Sequence, residues 1–360
     1  MAEPLRNGYS PAFSKQVCRL LAASCSTFNQ KRFLASVRGE VWEAAPLKTR
    51  TTLMAQAMNA SLPGSYRNKI SLLMKVAPAV NAGFYGTIFP EFVALYGRNH
   101  WDISMHALCA FTPFSTSEFA IRPFLEQDPQ RALGQLKRWS LHSNEHVRRL
   151  ASEGCRSRLP WGQRVRFLTE NPRAVLEVLE PLKDDVSAYV RKSVANNLND
   201  ISRDHPALAL QTAARWMGKS TQTDHLVSHG LRTLLRQGDR KALGLLKVSP
   251  TTRASVIALQ VDPSVRIGEA LHFSFTVRQP SAETVRLRLE YAIDFVKAKG
   301  DSRPKKFFIA QRDFERGDHA LRRKRSFSQF TTRTHYQGAH TLLLYINGKQ
   351  AAQQGFSVTA

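Results

Sequence analysis

The chain lacks any apolar run approaching the ~18 residues that a bilayer span requires, so no membrane-crossing helix is predicted. Met1 to Ser10 does not run from basic to apolar as a secretion leader does, and a cytoplasmic, nucleoid-associated location is expected. Cysteine is scarce. Cys18, Cys25, Cys109 and Cys155 are scattered without a CxxC pair, which argues against a disulfide framework or a thiolate zinc site and fits a reducing compartment. A phosphate-cradling P-loop, an HExxH metal helix and a GxSxG nucleophile elbow are also absent. Acidic residues are few: 28 Asp and Glu face 52 Lys and Arg, for a formal charge of +24. That excess points to nucleic acid first and an acidic membrane surface second. A hydrophobic content of 42% over 360 residues marks a folded chain, with one large core or two moderate ones.

What is present is a repeat. Val147-Arg148-Arg149-Leu150-Ala151-Ser152-Glu153 returns 43 residues later as Val190-Arg191-Lys192-Ser193-Val194-Ala195-Asn196. That period belongs to stacked helix pairs, where each unit buries its apolar face only against its neighbours. The repeated face is basic, which suggests a helical solenoid cradling a polyanion.

Apolar residues recur at helical spacing through most of the chain. Helices are predicted over 13–21, 52–62, 70–77, 84–96, 101–110, 118–125, 129–140, 145–157, 163–169, 172–180, 187–199, 206–217, 223–236 and 239–246. Pro172 and Pro206 sit where a first helical turn tolerates a missing N–H. Near Val248-Ser249-Pro250 the period becomes two, the signature of half-buried strands. Strands are predicted over 254–261, 271–277, 285–295, 306–314, 320–330, 340–346 and 349–359, with a tight Asn347-Gly348 turn between the last two. The fold class is therefore α then β: a HEAT-like α-helical solenoid over 1–249, followed by an antiparallel immunoglobulin-like β-sandwich over 250–360. The second half is basic too, with Arg303, Lys305, Lys306, Arg322, Arg323, Lys324 and Arg325 forming either a solvated surface or a second face for DNA.

This pairing resembles the AlkC branch of the HEAT-like alkylpurine DNA glycosylases, the AlkC and AlkD family of DNA alkylation repair enzymes. The resemblance is carried by Thr116-Ser117-Glu118-Phe119-Ala120-Ile121-Arg122-Pro123-Phe124, by Val147 to Gly154, by Arg158-Leu159-Pro160-Trp161 and by Val190 to Asp200. It covers nearly the whole chain, including a C-terminal sandwich that AlkD-type members lack. The resemblance implies excision of N3-methylated bases from double-stranded DNA without metal or nucleotide cofactor and without full extrusion of the base. A monomer with no membrane role is expected.

Placing Val147 over Val190 puts Glu153 on Asn196, with Asp200 one turn further along the same face. Glu153 and Asp200 can thus project from adjacent repeats into one groove. Carboxylates there suit the chemistry, because an N3-methylated purine is already cationic and leaves without a general acid. Positive charge developing on the deoxyribose is what needs stabilising, and a carboxylate near C1′ does this while orienting water. Glu118 is the third candidate carboxylate and Trp161 the candidate aromatic face for the lesion. Arg148, Arg149, Arg156, Arg158, Arg191, Lys192, His229 and Arg232 are the candidate DNA contacts.

Each residue also has a plainer reading. Ser115-Thr116-Ser117-Glu118 spells a capping box. Glu153 has Arg149 and Arg156 at the spacing of a surface ion pair, and Trp161 follows Pro160 at an expected helix start. Trp101-Asp102 is similar to a pair in AlkD-type relatives, and an amphipathic helix start explains it equally. Three rival functions stay open on sequence: a non-catalytic HEAT-repeat scaffold, a structure-selective DNA-binding protein, and a metal-dependent nuclease.

Overall fold

The computed structural model describes residues 5–80, 82–249, 251–296, 302–329 and 334–360. Pro250, Phe330 and the Arg303 side chain, which figured in the predicted boundary, strand and basic surface, lie outside the described residues. The chain forms two compact units, one of residues 5–209 with Trp216–Gly230, the other of Leu210–Arg215 with Leu231–Ala360.

The first unit is a two-layered helical array. In one layer, Gln30–Ser36 packs on Leu47–Ser61, which packs on Ile88–Tyr96. Further along that layer, Glu145–Gly154 packs on Ala188–Asp204, which packs on Thr221–Gly230. The other layer runs from Pro11–Ser24 through Tyr66–Val80 to Trp101–Phe111, with Pro129–Trp139 on Pro172–Leu179 beyond. Seams between helices are filled by Val147, Leu150, Val190, Val194, Leu198 and their neighbours, all nearly inaccessible. Gly154 and Gly230 hold equivalent places in their repeats, and a Cβ on either would sit 2.8 or 2.7 Å from a neighbouring Ile121 or Leu198 methyl.

Several predicted boundaries moved. Gln30–Ser36 and Glu40–Ala44 were missed because each buries a single side chain, Phe33 or Trp42, and so shows no periodicity. The segment expected to be one helix over 223–236 is two, Thr221–Gly230 and Arg232–Gln237. The helix expected from Glu118 begins only at Arg122, and the one expected through Ser157 ends at Gly154.

The second unit holds the sandwich. β1 (Ser255–Val261), β3 (Ala270–Gln279) and β6 (Gly317–Ser326) form a three-stranded sheet in the order β1-β3-β6. β2 (Ser264–Arg266), β4 (Val285–Val296), β5 (Ser302–Phe314), β7 (Gly338–Ile346) and β8 (Lys349–Thr359) form the other, ordered β2-β8-β7-β4-β5. Eight strands are thus seen among the described residues where seven were expected; the short β2, paired parallel to β8, carries no readable alternation. Phe273, Phe275, Leu287, Leu289, Ile293, Leu342 and Phe356 meet in the core. Asn347 and Gly348, both at positive φ (49° and 80°), make the predicted turn. The strand over 285–295 is not half-buried as its alternation suggested. Its polar face carries Arg288 and Glu290, buried as an ion pair at 2.8 Å, and residues ahead of the strands in the same unit reach this sheet: Lys306 Nζ donates to Arg236 O at 2.7 Å and Asn347 Nδ2 to Ser249 O at 2.8 Å.

Candidate active site

The Glu145–Gly154 helix starts at Asn144, whose side-chain oxygen accepts from the His146 N–H at 2.8 Å. With Val147, Leu150 and Ala151 turned to the core, Arg149 and Glu153 fall one turn apart beside the next helix. The Ala188–Asp204 helix approaches closely there because small hydroxyls meet at the seam. Ser152 and Ser193 are hydrogen-bonded at 2.7 Å, and Ser193 Oγ donates to Glu153 Oε2 at 2.6 Å. Beyond Gly154 the chain leaves the helix, and Arg156 turns back across the groove between the two repeats. Its Nη1 donates to Glu153 Oε1 at 2.7 Å, while Nε and Nη2 reach the two Asp200 oxygens at 2.8 and 3.3 Å. Arg149 lies on the other side of Glu153 at 3.7 Å and binds the Glu118 carboxylate directly. Thr116 Oγ1 accepts from Arg149 at 3.0 Å and donates to Glu118 Oε2 at 3.1 Å.

The three predicted carboxylates are therefore brought into one buried cluster, with Glu118 9%, Glu153 6% and Asp200 4% exposed. Glu118 does not close a capping box; it lies in a turn ahead of the helix and its acid faces Arg149. Three carboxylates are ion-paired to two guanidiniums, and Arg122 and Arg203 act on Asp200 from further off. Burial pushes the Glu118 carboxyl above its ordinary range, with Arg149 pulling it down and Glu153 pushing it up. Burial likewise raises Asp200 against the pull of Arg156. For Arg156, burial acts against the charge, but the bonds to Asp200 and Glu153 outweigh it and its pKa is raised.

Aromatic residues stand beside this cluster. Trp161 is 60% exposed and sits at φ +62°, a left-handed conformation costing a non-glycine residue about 1–2 kcal/mol. It is not at a helix start as expected; the next helix begins at Arg166. Lys48 Nζ holds its carbonyl at 2.6 Å and also lies over the Phe119 ring at 5.1 Å. Phe84 meets the Trp161 ring edge-on, centroids 6.2 Å apart. On another side, the Arg149 guanidinium stacks on Tyr189, 44% exposed, at 5.3 Å. Trp101 is packed elsewhere, against Phe124 and under Arg131.

The basic pairs of the two repeats divide by position. Arg148 donates to the His142 and Ser143 carbonyls, five and six residues back, and Arg191 donates likewise to Asp185 and Val186. Arg148 also grips both Asp185 oxygens at 2.6 and 2.9 Å. The first arginine of each pair thus ties the preceding loop to its helix. Arg158 pairs with Asp204 at 2.5 Å, and Arg156 is buried among acids rather than displayed. Lys192 is exposed and lines an open groove with Arg191, His225 and His229; His229 Nε2 lies 3.2 Å from Asn196 Oδ1. Arg232 belongs to the other compact unit, on the Arg232–Gln237 helix.

Sequence reasoning missed Ser193, Thr116, Lys48, Tyr189 and Arg122. Arg122 is fully buried, and burial pushes its pKa down to about 10. Thr116, Arg122 and Ser193 had a signal, as members of motif-bearing segments; Lys48 and Tyr189 had none.

Comparison with known proteins bears on this site. The family model for the C-terminal Ig-like domain of the uncharacterised protein YhaZ matches residues 255–360. The chain is 42% identical to YhaZ of Bacillus subtilis (strain 168) over 356 residues, covering 98% of this chain and 99% of that one. Among solved structures, it matches the Pseudomonas fluorescens alkylpurine DNA glycosylase AlkC, bound to DNA containing an abasic site analog, with a TM-score of 0.94 and 34% identity. That match covers 99% of this chain and 100% of the other.

The chain belongs to the AlkC family.

Helical region and Ig-like sandwich both fall within the AlkC match. Among the described residues, no helix is long and apolar enough to cross a membrane.

Proposed function

We propose that this chain is a monofunctional DNA glycosylase that excises cationic N3-methylated bases, N3-methyladenine and N3-methylcytosine, from double-stranded DNA. The carrying observation is the buried cluster in which Glu118, Glu153 and Asp200 share Arg149 and Arg156. Three acids converge where the sugar of a bound lesion would carry developing positive charge. When the glycosidic bond breaks, its electron pair leaves with the base and neutralises the methylated ring. Water adds to C1′ and gives up a proton. Glu153 and Asp200 stabilise the oxocarbenium-like sugar and orient that water, with Glu118 assisting through Arg149. The exposed Trp161 ring presents a π-face to the cationic base, an attraction of about 1–2 kcal/mol. Because charge is met by fixed acids rather than by a pocket around a flipped base, full extrusion is not required. Neutral lesions, which leave poorly, are expected to be weak substrates.

Exposed Lys192, with His229 in the same groove, is assigned to phosphates, while Arg148, Arg158 and Arg191 act on DNA only indirectly, through the loops and carboxylates they hold. Binding and chemistry are assigned to 1–249 and a second DNA-facing surface to 250–360. The protein acts as a monomer without metal or cofactor, in the cytoplasm. AlkC of Pseudomonas fluorescens in complex with an abasic site analog supports the reading, since an abasic site is what base excision leaves behind.

The test is release of bases from methylated genomic DNA in EDTA, quantified by mass spectrometry, for wild type, Glu153→Gln and Asp200→Asn. Release of N3-methyladenine by wild type, lost in variants that still fold and bind DNA, is the expected result. A folded, DNA-binding wild type that releases nothing would overturn the proposal and leave a scaffold or structure-selective binder.

A further inference from the structure

Arg122 stands out among the charged groups that excision does not use directly. It is the first residue of the Arg122–Gln127 helix, 0% exposed, and no carboxylate is among its hydrogen-bond partners. Its guanidinium instead binds three main-chain carbonyls. Nη1 donates to Gly154 O and to Arg156 O, each at 3.0 Å, and Nε donates to Gln163 O. Nη2 has no hydrogen-bond partner among the described residues. A desolvated cation held without an ion pair costs several kcal/mol, so packing alone gives no reason for an arginine here.

The three carbonyls supply that reason. They bracket the segment that leaves the Glu145–Gly154 helix and enters the Arg166–Glu170 helix, and that segment is irregular throughout. Within it lie Arg156, which bridges Glu153 to Asp200, and Trp161, held at positive φ. One end of the segment is anchored at a helix C-terminus, where a cation is favourable. A planar fork can hold three acceptors in one geometry; an ammonium on a flexible stem cannot.

We propose that Arg122 is the positioning residue of the excision site, holding residues 154–163 so that Arg156 spans the two carboxylates. It touches neither base nor sugar and acts through Arg156. This rests on the glycosylase reading for its kinetic consequence, but not for its structural one.

The experiment compares wild type, Arg122→Lys, Arg156→Gln and the double variant. Single-turnover excision is measured on duplex containing N3-methyladenine, and affinity on duplex containing an abasic site analog. Arg122→Lys should slow excision about 10- to 100-fold, the range for a displacement of about an ångström, with affinity changed by less than about threefold. The double variant should be no slower than Arg156→Gln alone, because the second change removes the group through which the first acts. Losses that multiply, or an Arg122→Lys enzyme of normal rate, would overturn the proposal. If wild type excises nothing, the glycosylase reading falls, and Arg122 is judged by amide hydrogen exchange. Faster exchange in Arg122→Lys confined to 154–165 supports the positioning role; unchanged exchange, or acceleration across the whole helical unit, overturns it.

Discussion

Both compact units bury charged side chains, and the two clusters are built differently. In the sandwich, Arg288 and Glu290 form a one-to-one pair with side chains 5% and 0% exposed, under the Phe308 ring at 4.9 Å. In the helical unit, three acids converge on Arg149 and Arg156, with the exposed Tyr189 ring against Arg149. A balanced, enclosed pair can be exchanged for apolar side chains with no loss of stability. A buried cluster of three acids opposes folding, and the proposed role in excision supplies a reason for its retention. Burial is common to both; the number of acids brought together separates them.

That contrast can be broken in stages. Glu290→Leu alone should destabilise the sandwich unit by about 3–5 kcal/mol by stranding Arg288, whereas Arg288→Met with Glu290→Leu should be neutral or stabilising by about 1–4 kcal/mol. Thermal unfolding checks this, and a double variant as unstable as the single would remove the distinction. In the acid cluster, Glu153→Gln should cut excision about 10²–10³-fold, the scale for losing one electrostatic stabiliser. Its stability should hold, since a carboxamide of the same shape still offers an acceptor to Arg156 or Ser193. A marked fall in melting temperature would make Glu153 a structural ion.

The pH response sharpens the comparison further. Glu118 and Asp200 have folded pKa values raised by burial, so the folded state holds their protons more tightly than the unfolded one. Their contribution to stability therefore declines as pH rises from the ordinary carboxylate range through the raised values. Excision should climb over that same interval as the acids ionise, and Glu118→Gln should flatten both trends. Excision and melting temperature moving together with pH would contradict this assignment. The smallest expected effect separates the two members of a basic pair. Lys192→Ala should lower the salt slope of DNA binding by about one, and Arg191→Ala should leave the slope alone while lowering the melting temperature.

Much of this was legible in the chain. The repeat between Val147 and Val190 placed Glu153 and Asp200 on facing helices, because a period of stacked pairs puts like positions side by side. The change to period two located the sandwich, and Asn347-Gly348 marked its tightest turn. Less legible were features without periodicity. Helical spacing turns Arg148 and Arg149 to different faces, but it does not show that one ties a loop and the other faces acids. Arg156 read as a DNA contact, because nothing local shows that the helix stops at Gly154 and lets it fold back. The strand over 285–295 read as half-buried, because alternation cannot show that residues of the Arg232–Gln237 helix reach the same sheet.

The sequence by itself determined the order of helices and strands, the repeat that aligns two acids, and the positive charge suited to a polyanion. Those properties follow from spacing and composition, which are local. Tertiary structure alone decided that Arg149 meets Glu118 and Arg156 meets Asp200, that Trp161 stays exposed on a strained backbone, and that Arg122 holds a loop by three carbonyls. Such partnerships span thirty to fifty residues of chain, and only packing brings their ends within hydrogen-bonding reach.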